Sequence, residues 1–214
     1  MNVGIVGSGD VAKTLGSALL ELGNSVKLGS RTPDSESLLA WKKKGGASAS
    51  TGSFADAAAF GEVVILSTHG VENENALRLA GPKNFAGKVV IDTTNPLVFG
   101  PDHLPQLAYG WSDSAGERVQ KLLPDAQVVK AFNTVGNAHM FRPKFPGGPP
   151  DMFYCGNDAA AKKLVEGWLK TFGWNPVDVG GIEGSRLLEP MCILWVSMGI
   201  RGGSWDIAFK VLRK

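Results

Sequence analysis

The sequence predicts a doubly wound α/β fold: a parallel sheet with helices on both faces and a short helical extension at its C-terminal end. Three observations carry this. Short apolar runs rich in β-branched residues recur along the chain, at Val3–Val6, Glu62–Ser67, Lys88–Asp92 and Ala126–Phe132. They are nearly continuous, as strands covered on both faces are. Segments of helical spacing alternate with them, which calls for parallel strands joined by right-handed crossovers. The first run passes at once through Gly7-Ser8-Gly9 into the apolar spacing of Val11 to Leu20, a strand, tight turn and helix in immediate succession.

Taken in order, Val26-Lys27-Leu28 is the second strand after the turn at Leu22-Gly23-Asn24. Thr32-Pro33-Asp34 starts a helix, because proline suits a first turn and Asp34 and Glu36 lie near its positive end. Lys42-Lys43-Lys44 is the solvated end of that helix, before Gly45-Gly46. Ala47 to Thr51 is a weak strand, and Ser53 caps a short helix from Phe54 to Phe60. After the strand ending at Ser67 come Thr68-His69-Gly70 and a helix from Glu72 to about Ala80. Val98–Gly110 and Phe145–Pro150 read as irregular segments, long enough to be lids or site walls. Ser112 to Leu123 is helical. Phe153-Tyr154-Cys155 reads as an edge strand, and Asn157-Asp158 caps a helix from Ala159 to Phe172 that buries Leu164, Val165, Trp168 and Leu169. Pro176 to Val179 returns as a strand, a last apolar helix runs from about Ser185 to Gly199, and a tail carries Trp205 and Phe209. Residues 1–180 form the nucleotide-binding unit on this reading, and 181–214 form a helical segment packed on its site.

The turn after the first strand has the form G-x-G-x-x-A, from Gly7 to Ala12. Gly7 takes backbone angles that the turn requires, Gly9 lets a pyrophosphate approach the main chain, and Ala12 allows close helix–strand packing. The first helical turn, Asp10-Val11-Ala12, offers unpaired N–H groups and a positive dipole end. Asp10 would repel a pyrophosphate, so it is expected to cap the helix with its side chain turned away. The end of the second strand distinguishes the two nicotinamide cofactors. An NAD site places an acid there for the ribose 2′-hydroxyl. Here the residues are Gly29-Ser30-Arg31. Ser30 can donate to a 2′-phosphate and Arg31 can pair with it through its planar fork, which selects NADP(H).

Ligands of such sheets bind beyond the carboxyl ends of the strands. Besides the glycine turn, three strand ends carry polar residues: Ser67-Thr68-His69, Thr93-Thr94-Asn95 and Asn133-Thr134. These are expected to line the nicotinamide, with Asn95 and Asn133 offering side-chain amides or, alternatively, shaping their loops. His69 is the one histidine at such a tip and is a weak catalytic candidate. His103 and His139 lie in irregular segments. There is no metal-spaced cluster, nucleophile elbow or paired carboxylate, and hydride transfer between two bound rings needs alignment more than an acid or base.

The totals agree with this. The 214 residues suffice for one generous domain, 43% are apolar and 20% charged, and the formal charge of +2 gives no case for nucleic acid or an anionic membrane. Two distant cysteines, Cys155 and Cys192, suggest neither a disulfide framework nor zinc. With the first strand beginning almost at Met1 and no apolar stretch of spanning length, a cytoplasmic protein is expected.

Several of these motifs together resemble the NADPH-dependent oxidoreductases of coenzyme F-420. They are Gly7-Ser8-Gly9-Asp10, Gly29-Ser30-Arg31, Asn95-Pro96-Leu97, Val129-Lys130-Ala131-Phe132-Asn133-Thr134 and Leu187-Leu188-Glu189-Pro190. The cytosolic reductase domain of six-transmembrane ferric reductases is similar in the same places. The resemblance spans nearly the whole chain. It implies NADP on the first βαβ unit with its 2′-phosphate near Ser30 and Arg31, and a deazaflavin (coenzyme F-420) or flavin (FMN or FAD) as co-substrate stacked near the nicotinamide. The stacking site lies between the strand-end loops, Ala131 and Asn133 among them, and the C-terminal helix. The resemblance also implies a homodimer. Two positions depart from the family pattern. Ser67-Thr68-His69-Gly70 replaces a proline or bulky residue, and Ser35 and Glu36 stand where a second basic residue sometimes occurs. Two other readings are an NADP(H)-binding redox sensor without enzymatic activity and a small imine or carbonyl reductase. The latter calls for a longer helical dimerisation domain than the residues after Gly181 supply.

Overall fold

The computed structural model describes residues 1–214. Its sheet has eight strands, and seven α-helices connect or cover them. The first half runs β1 (Asn2–Val6), α1 (Asp10–Glu21), β2 (Ser25–Gly29), α2 (Glu36–Gly45), β3 (Ala49–Gly52), α3 (Phe54–Phe60), β4 (Val63–Leu66), α4 (Asn73–Ala80) and β5 (Val89–Asp92). The second half holds a small separate hairpin, β6 (Leu97–Phe99) and β7 (Pro105–Leu107), then α5 (Ala115–Leu122), β8 (Gln127–Lys130), β9 (Asp151–Gly156), α6 (Ala159–Phe172), β10 (Asn175–Asp178) and α7 (Ser185–Gly202).

The strand order is β10-β9-β8-β5-β4-β1-β2-β3. From β8 to β3 every pairing is parallel, with Ile5 level with Leu28 on one side and Ile65 on the other. The apolar strands explain the layering. Val3, Ile5, Val63 and Ile65 point to one face with α1, α2 and α6, whereas Val6, Val64 and Leu66 point to the other with α4 and α5. Side chains alternate along a strand, so a run that is apolar at every position must be covered on both faces.

Four sequence expectations change. Phe153–Cys155 belongs to a longer strand that is not at the edge: β9 pairs antiparallel with β8, and β10 lies outside it, parallel to β9. Composition alone does not reveal strand direction or neighbours. The helix expected from Thr32 begins at Glu36, because Thr32–Ser35 forms a turn (Ser35 N–H to the Thr32 carbonyl, 3.1 Å) and Ser35 takes the extended N-cap conformation. The Val98–Gly110 segment is not irregular throughout, since it contains the β6–β7 hairpin. On α6 the fully buried residues are Ala161, Val165, Leu169 and Phe172, while Leu164 and Trp168 are only partly covered. The Ser53 cap holds as a full capping box with Asp56, and Asp158 accepts from the Ala161 N–H at 2.7 Å.

After α7 the tail lies back on the body. Trp195 Nε1 donates to the Ile207 carbonyl (2.8 Å), and the Asp151 N–H donates to that of Phe209 (2.9 Å). Cys192, Trp195 and Val196 of α7 pack with Leu97, Ile207 and Phe209. No helix is long and apolar enough to cross a membrane.

Candidate functional site

A cleft of about 860 Å³ runs along the carboxyl ends of β2, β1, β4 and β5. Of the residues singled out in the sequence, Gly7, Ser8, Gly9, Asp10, Val11, Ser30, Arg31, Ser67, Thr68, His69 and Asn95 all line it. Ala131 and Asn133 do not; both are buried at the tip of β8, behind the cleft wall. No group of three or more His, Cys, Asp or Glu side chains is placed to hold a metal ion.

The outer end of the cleft is built by the glycine turn. Gly7 has φ +138°, and a Cβ there would overlap the Ser67 carbonyl, so no other residue fits. A Cβ on Gly9 would meet nothing within 4 Å, so its bareness serves no internal packing and leaves the main chain open to the cleft. Gly9 is the N-cap of α1 and no side chain caps that end. The expected capping by Asp10 does not occur: Asp10 is the first helical residue, exposed, and on the cleft lining. A carboxylate in the first turn already gains from the helix dipole without making a cap bond. The Ser8 hydroxyl is 3.2 Å from that of Ser30, and the Thr32 N–H donates to Ser30 Oγ at 3.1 Å, which ties the turn to the end of β2. Arg31 is exposed on the cleft lining and takes part in none of the protein's salt bridges, so its guanidinium fork is unspent. An open main chain, an uncapped helix end and a free Arg beside Ser30 fit a dinucleotide with a phosphate on its adenosine ribose.

The inner end rests on a buried ion cluster that sequence reasoning missed. Lys130 Nζ lies 2.6 Å from Asp92 Oδ2, 3.2 Å from Glu189 Oε1 and 2.8 Å from the Thr94 carbonyl, with all three charged side chains essentially sealed from solvent. Glu189 also accepts the Ala115 and Gly116 N–H groups at the start of α5, at 3.0 and 3.1 Å. The cluster thus joins β5, β8, α5 and α7. Burial by itself lowers the Lys130 pKa, but the Asp92 and Glu189 carboxylates more than offset it, so the ammonium is held above its ordinary value. Burial raises the pKa of Glu189, against the pull of Lys130. The signal was present in the sequence, because a lysine inside Val128-Val129-Lys130-Ala131 must find a buried anion. Glu189 in an apolar helix and Asp92 at the end of β5 were its available partners.

Beside this cluster the two asparagines hold each other. Asn95 Nδ2 donates to the Asn133 carbonyl and Asn133 Nδ2 to Asn95 Oδ1, both at 2.9 Å, and Asn133 Nδ2 also reaches the Leu188 carbonyl at 2.9 Å. Both Asn133 donors and one of the two on Asn95 are therefore committed to joining the tips of β5, β8 and α7. Asn133 Oδ1 is buried without a protein partner. Phe132, the residue before Asn133, is buried with φ +62°, a conformation L residues seldom take. His69 is exposed on the cleft rim as the N-cap of a single 3-10 turn. Burial pushes the Cys155 and Cys192 thiols up to about 11 and about 12, which leaves neither as a nucleophile at neutral pH.

Residues 2–96 match the family model described as NADP oxidoreductase, coenzyme F420-dependent. The solved structure of a candidate F420-dependent NADP reductase from Arthrobacter sp. FB24 is 34% identical and superposes with a TM-score of 0.94 over all of both chains. The chain belongs to the family of coenzyme F420-dependent NADP oxidoreductases. The F420-dependent NADP reductase of Methanocaldococcus jannaschii is 31% identical over 148 residues, 68% of this chain and 66% of that one. Metalloreductase STEAP3 of Rattus norvegicus is 29% identical over 190 residues, 87% of this chain, which spans only 35% of that protein's length. Within this family member, the matched span holds the whole glycine turn, Ser30-Arg31 and the tips of β4 and β5, whereas Lys130 and Glu189 lie beyond it.

Proposed function

We propose that the chain is an NADP(H)-dependent oxidoreductase that exchanges hydride between NADPH and coenzyme F-420, a deazaflavin. The observation that carries this reading is the continuity of one cleft. It runs from the unpaired Arg31 and buried Ser30, over the bare main chain at Gly9, to the polar tips of β4 and β5. A dinucleotide laid along it places its 2′-phosphate on Ser30 and Arg31, its pyrophosphate on the α1 N-terminus, and its nicotinamide at Ser67, Thr68, Thr93 and Asn95. Bound NADPH supplies the hydride. The chain's own residues bind and orient, which is the contribution that transfer between two rings requires. Family membership and the full-length likeness to a candidate F420-dependent reductase support the deazaflavin over FMN or FAD.

The co-substrate stacks between these tips and α7, in a protein that acts in the cytoplasm as a homodimer. Residues 181–214 serve as the helical segment that closes the site. Leu187, Leu194 and Met198 are exposed on α7 with Met191 half-buried among them, a 4-3-4 spacing that forms one apolar seam for a second copy. His69 has no assigned step.

The test is an absorbance assay with purified protein, NADPH and, in turn, coenzyme F-420, FMN, FAD and ferric chelates. Oxidation of NADPH coupled to bleaching of the deazaflavin is expected. Turnover with another acceptor alone would reassign the co-substrate, and tight NADPH binding with no turnover would favour a sensor.

A further inference from the structure

The buried Lys130–Asp92 pair is the end of a hydrogen-bonded chain that surfaces in the cleft. Thr94 Oγ1 lies 2.7 Å from Asp92 Oδ1, Asn73 Nδ2 2.7 Å from Thr94 Oγ1, and Thr68 Oγ1 2.8 Å from Asn73 Oδ1. Asn73 is buried behind the cleft, Thr94 is buried at its lining, and Thr68 is half-buried and lines it.

The direction of every bond in this chain follows from its buried end. A carboxylate paired with an ammonium only accepts, so the Thr94 hydroxyl must donate to Asp92. Its single proton is then spent, and the contact with Asn73 must be a donation from the Asn73 amide nitrogen. That fixes the amide orientation and turns Asn73 Oδ1 towards Thr68. The Thr68 hydroxyl in turn spends its proton on Asn73. What it shows to the cleft is therefore lone pairs only.

We propose that Thr68 is a hydrogen-bond acceptor for an N–H or O–H donor on the nicotinamide half of the bound cofactor, with Asn73 as the positioning residue that fixes its polarity. The inference rests on the NADP(H) reading above and deepens it. Two groups on that half of the cofactor carry such donors, the carboxamide NH2 and the ribose hydroxyls. A free threonine hydroxyl could serve a donor or an acceptor equally. This one has been committed, so it discriminates between ligand groups that differ by one proton.

The test uses the full chain with three probes: NADPH, its 3-acetylpyridine analogue, in which a methyl replaces the amide NH2, and adenosine 2′,5′-bisphosphate, which lacks the nicotinamide half. Thr68→Val is expected to weaken NADPH about three- to tenfold, the loss of one hydrogen bond, and Thr68→Ser to restore it. Both should bind the bisphosphate as the wild type does, which shows that they fold and keep the phosphate end. If the donor is the carboxamide, the analogue binds the wild type more weakly than NADPH and Thr68→Val adds no further loss. If it is a ribose hydroxyl, the two losses multiply. Thr94→Val, which frees the Asn73 amide to turn, should reproduce the NADPH loss, and Thr94→Ser should not. Unchanged NADPH affinity in Thr68→Val, or in Thr94→Val, overturns the proposal. A wild type that binds neither NADPH nor the bisphosphate overturns the cofactor reading itself.

Discussion

The Lys130 ammonium and the Asp92 carboxylate meet at 2.6 Å between the tips of adjacent strands, with neither side chain exposed. Two buried charges are costly to desolvate, and the geometry answers that cost with further partners. Lys130 adds Glu189 and the Thr94 carbonyl, and Asp92 adds the Thr94 N–H and hydroxyl. Removing Lys130 leaves both carboxylates buried without their cation.

Lys130→Met should therefore destabilise the fold by about 3–5 kcal/mol in urea denaturation at neutral pH. Because the folded pKa of Lys130 lies above that of a free lysine, its contribution is fully present below about pH 10.4 and is lost as pH rises through the higher folded value. The stability difference between wild type and Lys130→Met should be flat from neutrality to about pH 10 and shrink above it.

Arg31→Ala should weaken NADPH binding by roughly 1.5–3 kcal/mol in calorimetry, the worth of a charge-assisted bond, and change NADH little. Equal loss for both cofactors would place the adenosine phosphate elsewhere.

Gly7→Ala and Gly9→Ala should separate fold from function. The first puts a Cβ into the Ser67 carbonyl at a φ of +138° and should unfold the turn or strain it severely. The second meets no protein atom within 4 Å, so its thermal midpoint should hold while NADPH affinity falls by about tenfold or more.

On the homodimer proposed above, Leu194→Glu, in the middle of the exposed α7 seam, should shift the mass in sedimentation analysis from that of two copies to that of one and leave the single copy folded. No change in mass would remove α7 as the contact between copies.

The parallel core and the cleft-lining place of Gly7, Gly9, Ser30 and Arg31 were legible because their signals are local. A strand apolar at every position announces two covered faces, and Gly7, Gly9, Ser30 and Arg31 lie at fixed offsets from strand ends. The reversal of β9 was not legible, since Asp151–Gly156 reads the same in either direction and only its neighbours reveal which way it runs. The β6–β7 hairpin is held by pairing over three residues a side, too short for a periodic signature. Asn95 and Asn133 read from the sequence either as cofactor amides or as loop-shaping residues, and their hydrogen bond to each other, a relation between residues 38 apart, is one that no spacing encodes. The same limit hid Asn73, an unremarkable helix residue until Thr68 and Thr94 are seen on either side of it.

Glu189 has one more consequence. On a ribosome, Asp92 and Lys130 are both made long before it, as are all the strands that shape the outer end of the cleft. The nascent protein can therefore assemble its glycine turn while the inner end of the cleft still lacks its third charge. Until α7 emerges, Lys130 has one carboxylate partner rather than two, and the Ala115 and Gly116 N–H groups have none. A chain stopped short of Glu189 would have the glycine turn and Arg31 but lack the brace behind the inner end of the cleft.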